Sequence, residues 1–474
     1  MPMLAALLLL SLPGSATAAL AGGERLDLTG HPVGYAALAI FVLAYLVVVL
    51  EEYTALRKSK PVLLAAGVIW ALIALVYAGD HAGHLPQEAA RHNLLEYAEL
   101  ALFLLVAMTY VNAMEERRLF DALRAWMVRC GFSLRQIFWL TGLLAFGISP
   151  LADNLTTALL MCAVVLAVGH GDRRFIGVAC INIVVAANAG GAFSPFGDIT
   201  TLMVWQKGMV DFWTFFALFV PALVNWLVPA ALMHYAVPDA QPTATGERVL
   251  MKRGALGIVV LFLLTIATAV TFHNFLELPP VMGMFTGLAY LQFYGYYLKK
   301  TYSRAYLVRK YGLPEDEVAH NEQLGTMVPF DVFSRVSKAE WDTLLFFYGV
   351  VLCVGGLGFI GYLALLSEAM YEQLGATLAN VGVGLLSSIV DNIPVMFAVL
   401  TMQPEMSTGQ WLLVTLTAGV GGSLLSVGSA AGVALMGQAR GHYTFMGHLK
   451  WLPAIALGYA ASIGVHLWLN AATF

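Results

Sequence analysis

The chain has 474 residues, 59% of them hydrophobic and 11% charged, with a net charge of −4. Soluble domains carry roughly 45–50% apolar and about 25% charged residues, so this composition points to a polytopic membrane protein and excludes a disordered chain or a nucleic-acid binder. Cys130, Cys162, Cys180 and Cys353 are scattered without metal-ligand spacing, which leaves neither a disulfide framework nor a zinc site.

Residues 1–18 read as a secretory signal peptide. The apolar run 3–12 is too short to span a bilayer, and the small residues Ala16-Thr17-Ala18 suit a cleavage site. Apolar stretches long enough to cross follow near 33–50, 61–79, 94–112, 214–235, 254–272, 280–298, 341–366 and 450–470. Four less regular stretches, 137–169, 175–205, 378–402 and 411–438, hold the intramembrane polar residues, glycines and prolines.

Lysine and arginine placement orients these segments. Arg57, Lys58 and Lys60 put the first loop in the cytoplasm, and so do Arg117, Arg118, Arg124, Arg129 and Arg135 further on. Arg173 and Arg174 then place the chain on the basic side again, so 137–169 enters and returns as a re-entrant helical hairpin. The cation-free loops 367–377 and 403–410 make 378–402 a second hairpin, entered from the opposite face. The expected fold is therefore an all-α polytopic membrane protein of about ten spans and two hairpins, with both termini periplasmic.

The two hairpins share a pattern: Ser149-Pro150-Leu151-Ala152-Asp153-Asn154 in the first and Ser387-Ser388-Ile389-Val390-Asp391-Asn392 in the second. Each is followed by a helix broken at paired glycines, Gly190-Gly191 and Gly421-Gly422. The chain thus divides into a first repeat at 30–238 and an inverted second repeat, whose first two spans occupy 239–298 and whose remainder occupies 341–474. A cytoplasmic linker at 299–340 separates those two portions. Inverted repeats with discontinuous helices are a common build for secondary transporters, with the binding site where the breaks meet.

Asp153, Asp198 and Asp391 lie within apolar stretches that contain no lysine or arginine. Each costs roughly 2.5–3.5 kcal/mol at the bilayer centre on the mildest scale, so a proton or a bound cation is expected to neutralise it. Competition between the two for the same oxygens is the simplest chemistry of cation/proton exchange. Asn154, Thr157, Thr200, Thr201, Asn392, Ser149, Ser387, Ser426 and Ser429 offer the neutral oxygens a hard cation takes. Asp198 aligns with Ser429, so the halves are expected to do different work. His92, Glu96 and Glu99 share one helical face, and Glu99 is the deepest of the three. His81, His84 and His92 lie in one external loop, where histidine is the residue type suited to sensing pH. Asp342 opens a span at the cytoplasmic face.

On these residues, together with Ala187–Thr201 and Gly421–Met436, the chain resembles the NhaD-type sodium/proton antiporters of the ion transporter superfamily. The resemblance implies scaffold and transport domains, a homodimer in the bacterial inner membrane, and export of cytoplasmic Na⁺ or Li⁺ against external protons by alternating access. It carries the family's polar positions to Asp153, Asn154, Thr157, Asn188, Asp198, Thr200, Thr201, Ser387, Asp391, Asn392, Ser426 and Ser429, and more loosely to Glu99 and Asp342. The Na⁺ site is expected at Asp153, Asn154, Thr157, Asp198 and Asn392, with no cofactor beyond the transported ions. The same superfamily contains dicarboxylate and arsenite carriers, the main alternative. An intramembrane aspartyl protease needs two facing aspartates on adjacent helices and has no use for an inverted repeat, so no enzyme is expected.

Overall fold

The computed structural model describes residues 26–54, 56–79, 84–169, 171–241, 249, 251–301 and 332–474. The expected signal peptide, His81 and most of the linker lie outside them. The described residues form helices and connecting turns without a strand. Nine of the helices are long and apolar enough to cross a membrane.

Helices α1 (Pro32–Val49), α2 (Ser59–Gly79) and α3 (His84–Glu116) precede a short α4 (Leu119–Arg129). Then come α5 (Leu134–Ala152), α6 (Asn154–Gly169), α7 (Arg173–Gly191), α8 (Ile199–Gln206) and α9 (Phe219–His234). The second portion holds α10 (Ala255–Leu276), α11 (Pro280–Lys300), α12 (Trp341–Phe359), α13 (Ala376–Ser387), α14 (Asn392–Met402), α15 (Thr408–Gly421), α16 (Ala430–Gln438) and α17 (Leu452–Leu469). The span read over 341–366 stops at Phe359, because Gly361 takes φ 107° and a separate turn of helix starts at Tyr362.

Helix α7 is the centre of the molecule: 89% of its apolar window is buried, against 11% for α1, which presents its length outward. Buried polar pairs fix how its neighbours run. Asn182 donates to the Phe138 carbonyl at 2.8 Å and accepts from Trp226 Nε1 at 2.8 Å, while Ser149 Oγ donates to the Ala187 carbonyl at 2.7 Å. Ascending positions on α5 thus meet ascending positions on α7, so the two helices are parallel. Helix α6 runs the other way. Its Asn154 meets Asn188, and its Cys162 lies 3.8 Å from Cys180, Sγ to Sγ. Helices α5 and α6 therefore form a helical hairpin with Asp153 at its tip.

The second half repeats these contacts. Asn380 donates to the Gln410 carbonyl at 3.0 Å and Ser387 Oγ to the Ala418 carbonyl at 2.8 Å, which makes α13 parallel to α15. The chain then turns at Asp391 and returns through α14 to begin α15 beside Asn380. Both breaks close in the same way. A Cβ on Gly191 would sit 2.9 Å from the Gly197 carbonyl oxygen, and one on Gly422 would sit 2.8 Å from that of Gly428. Only glycine lets the backbone fold over itself so closely.

Candidate functional site

Four helices begin at one cavity: α6 at Asn154, α8 at Ile199, α14 at Asn392 and α16 at Ala430. A helix N-terminus carries unpaired N–H groups and roughly half a positive charge. Three of these ends are preceded by an aspartate, Asp153, Asp198 and Asp391; the first two accept a first-turn N–H, and Asp391 makes no cap hydrogen bond. The fourth is met by Ser429. The sequence shows the acids; their shared position at the starts of converging helices comes from the fold.

Asp153 is held at φ 54°, ψ 162°, a conformation that costs a non-glycine residue on the order of 1–3 kcal/mol. Two bonds hold it there: its carboxylate accepts from Thr156 N and Thr156 Oγ1, both at 2.9 Å. Asp198 is 6% exposed and links the halves. Its Oδ2 accepts from Asn392 Nδ2 at 2.8 Å and from Asn154 Nδ2 at 3.4 Å, and its Oδ1 accepts from Thr200 N at 3.3 Å. Asn154 also donates to Asn188 Oδ1 at 3.1 Å, and Asn188 passes the connection on to Ser423 Oγ at 2.9 Å. A continuous amide relay therefore joins the first hairpin, the first break and the second break.

The cavity measures about 80 Å³ and is lined by Asp153, Asn154, Asp198, Asp391 and Asn392 among its polar residues. Thr157 and Thr200 lie buried beside these residues in sequence, and their hydroxyls have no hydrogen-bond partner among the described residues. Other predicted residues are used differently. Ser149 and Ser387 donate to backbone carbonyls of α7 and α15. Thr201 Oγ1 lies 2.7 Å from the carbonyls of both Ser194 and Asp198, which closes the break behind the carboxylate. Ser429 caps α16 by accepting from Gly432 N at 3.3 Å, and Ser426 is fully buried in the second break. Glu99 and Asp342 are not among the cavity residues. Asp342 instead accepts from Ser59 Oγ at 2.5 Å. Glu96 pairs with His92 at 2.8 Å and with Lys207 on the far side.

One expectation needs correction. No lysine lies within the apolar stretches, yet the fold brings one in: Lys58 Nζ sits 3.9 Å from Asp391 Oδ2 and lines the same cavity. Glu340 and Thr343, from the start of α12, line it too. Nothing in the local sequence marks Lys58, which is one of several cations in an ordinary polar loop, and the partner it meets is 333 positions away. No group of three or more histidine, cysteine or acidic side chains suited to a resident metal occurs among the described residues.

Residues 18–419 match the CitMHS family, described as citrate transporters. The Na(+)/H(+) antiporter NhaD of Alkalimonas amylolytica is 65% identical over 96% of this chain and 94% of its own. The protein of the same name from Vibrio cholerae is 63% identical over 95% of each chain. The chain belongs to the NhaD-type sodium/proton antiporter family. Likeness within this family extends to a plant protein, sodium/proton antiporter 1 of Arabidopsis thaliana, 30% identical over 90% of this chain and 71% of that one.

Proposed function

We propose that this membrane protein exchanges cytoplasmic Na⁺, and Li⁺, for external protons by alternating access in the bacterial inner membrane. The observation that carries the reading is the set of three carboxylates at the starts of helices converging on one small cavity, alongside the amide oxygens of Asn154 and Asn392. The names of the relatives agree with it. Na⁺ is a hard cation that takes oxygen ligands, and these side chains supply them. A proton bound to the same carboxylate oxygens excludes the cation, so alternate occupancy couples the two flows.

The match to citrate transporters gives the alternative its weight, and the site argues against it. Bare helix N-termini bind anions. Here two of the four are already capped by aspartate and Asp391 precedes a third, so a polyanion entering the cavity would face like charge. The cavity, about 80 Å³, is also well below the roughly 300–1,000 Å³ usual for small organic ligands. The scaffold that can hold a carboxylate substrate would in this chain carry its own carboxylates.

Lysine and arginine placement supports both termini being periplasmic. By the same orientation, Lys58, Glu340 and Thr343 belong to the cytoplasmic side, which supports a cavity turned inward. The re-entrant character of the α5–α6 and α13–α14 hairpins follows from that orientation as well. The resemblance further supports a homodimer, which light scattering of purified protein measures.

The test uses purified protein in voltage-clamped proteoliposomes with an acid interior. Addition of Na⁺ or Li⁺ outside should collapse the pH gradient, while choline should not. Asp153→Asn and Asp198→Asn should remain folded and lose exchange. Citrate-stimulated flux without Na⁺/H⁺ exchange would replace this reading with the anion carrier.

A further inference from the structure

Among the described residues, Lys58 is the one cation lining the cavity, and the way it is held suggests a task. Its ammonium lies 3.9 Å from Asp391 Oδ2, and both side chains are about four-fifths buried, at 19% and 18% exposure. The ammonium also lies 4.7 Å from the centre of the Phe346 ring, whose face attracts a cation. The next residue, Ser59, is tied to Asp342 by its hydroxyl, so the backbone that carries Lys58 is anchored to the first turn of α12. The side chain is thus held between α12 and the tip of the second hairpin, facing the space that Asp153 and Asp198 also face.

We propose that Lys58 is a tethered competitor for the transported cation: its ammonium neutralises Asp391 while the cavity is empty, and it sets how tightly Na⁺ is held there. This rests on the Na⁺/H⁺ exchange proposed above. Four carboxylates around so small a space, Asp153, Asp198, Asp391 and Glu340, would otherwise hold a cation tightly and release it slowly. A partly buried positive charge on the lining lowers that hold. The pair is incompletely solvated, so its charge is felt across the cavity more strongly than that of a surface lysine. At 3.9 Å the contact is loose enough to open when a mobile cation arrives.

The experiment compares wild type, Lys58→Gln, Lys58→Arg and Phe346→Leu in the same proteoliposomes. Apparent KM for Na⁺ and maximal rate are measured separately, with ²²Na⁺ binding to the detergent-purified proteins alongside. Removing the charge should lower the apparent KM and the dissociation constant by roughly three- to tenfold, the low end for loss of a nearby charge. Lys58→Arg keeps the charge and should stay near wild type. Phe346→Leu loosens the ammonium without removing it and should shift the KM in the same direction by less, so it carries the test if Lys58→Gln does not fold. An unchanged KM with a lowered maximal rate would mean a purely structural ion pair and overturn the proposal, as would equal KM shifts in the glutamine and arginine variants. If wild type shows no Na⁺-dependent exchange, the functional reading falls and this one with it. If wild type exchanges and the charge-removing variant matches it, this proposal alone fails.

Discussion

Gly197→Ala tests whether the tight fold of the first break positions Asp198. The added Cβ would sit 2.6 Å from Gly191 Cα and 2.7 Å from the Gly191 carbonyl oxygen, both backbone atoms with no rotamer to move. Restoring even a tight 3.4 Å contact requires the two strands of the break to part by about 0.8 Å. Asp198 is the next residue, and its 2.8 Å bond to Asn392 would open to about 3.6 Å if it followed. Hydrogen bonds to charged groups contribute about 1.5–3 kcal/mol, which corresponds to roughly 10- to 150-fold in an equilibrium constant. Na⁺/H⁺ exchange at limiting Na⁺ should therefore fall by one to two orders of magnitude, with overpacking costing about 1–3 kcal/mol of stability. Gly147→Ala is the control, because a Cβ there meets nothing within 4 Å and Gly147 lies on α5, which packs beside α7 ahead of the break. Exchange is read in proteoliposomes and folding by thermal unfolding in detergent. If Gly197→Ala keeps the wild-type KM and rate, the close backbone approach does not hold the carboxylate in place.

Ser149→Ala and Ser387→Ala remove corresponding buried bonds to Ala187 and Ala418. Each should lower unfolding stability by about 0.5–1.5 kcal/mol, by similar amounts, with exchange retained; loss of exchange at normal stability would make them ligands instead. Trp226→Phe deletes the donor to Asn182 Oδ1 and strands a buried amide between α5, α7 and α9. A stability loss of about 1–3 kcal/mol is expected from the unpaired group, measured as a lowered midpoint of thermal unfolding.

Much of the site is visible in the sequence because it breaks a local rule. A charged residue inside an apolar segment is costly, so Asp153, Asp198 and Asp391 stand out without a structure. Their asparagine neighbours stand out by repetition. The sequence does not reveal what each hydroxyl bonds to: Ser149, Ser387 and Thr201 look like neutral oxygens for a cation, yet they bond to backbone carbonyls that the folded breaks bring near. Lys58 is illegible for a related reason. Its meeting with Asp391 depends on packing α2 against α12 and α12 against α14, and no periodicity encodes a contact between three helices. Glu99, the deepest acid on its helical face, is not among the cavity residues, since depth along a helix does not decide which neighbour its face meets.

The two breaks provide an internal comparison that separates capping from charge. Asp198 and Ser429 have nearly the same backbone, φ −141°, ψ 152° and φ −139°, ψ 148°, and each side chain accepts a backbone N–H in the first turn of the helix that follows. Serine caps a helix about as well as aspartate, whereas alanine in either place costs about 0.5–2 kcal/mol. Asp198→Ser thus gives the first break the residue that already serves in the second, and it should keep the cap on α8 while losing the bonds from Asn392 and Asn154. Asp198→Ala should lose the cap as well as the charge. If the carboxylate carries the cation and the proton, both variants abolish exchange, and alanine lowers stability below serine by the lost cap, about 0.5–2 kcal/mol. If Asp198→Ser still exchanges Na⁺ for protons and Asp198→Ala does not, the first break needs its cap and not its charge. The transported ions would then have to rest on Asp153 and Asp391 alone.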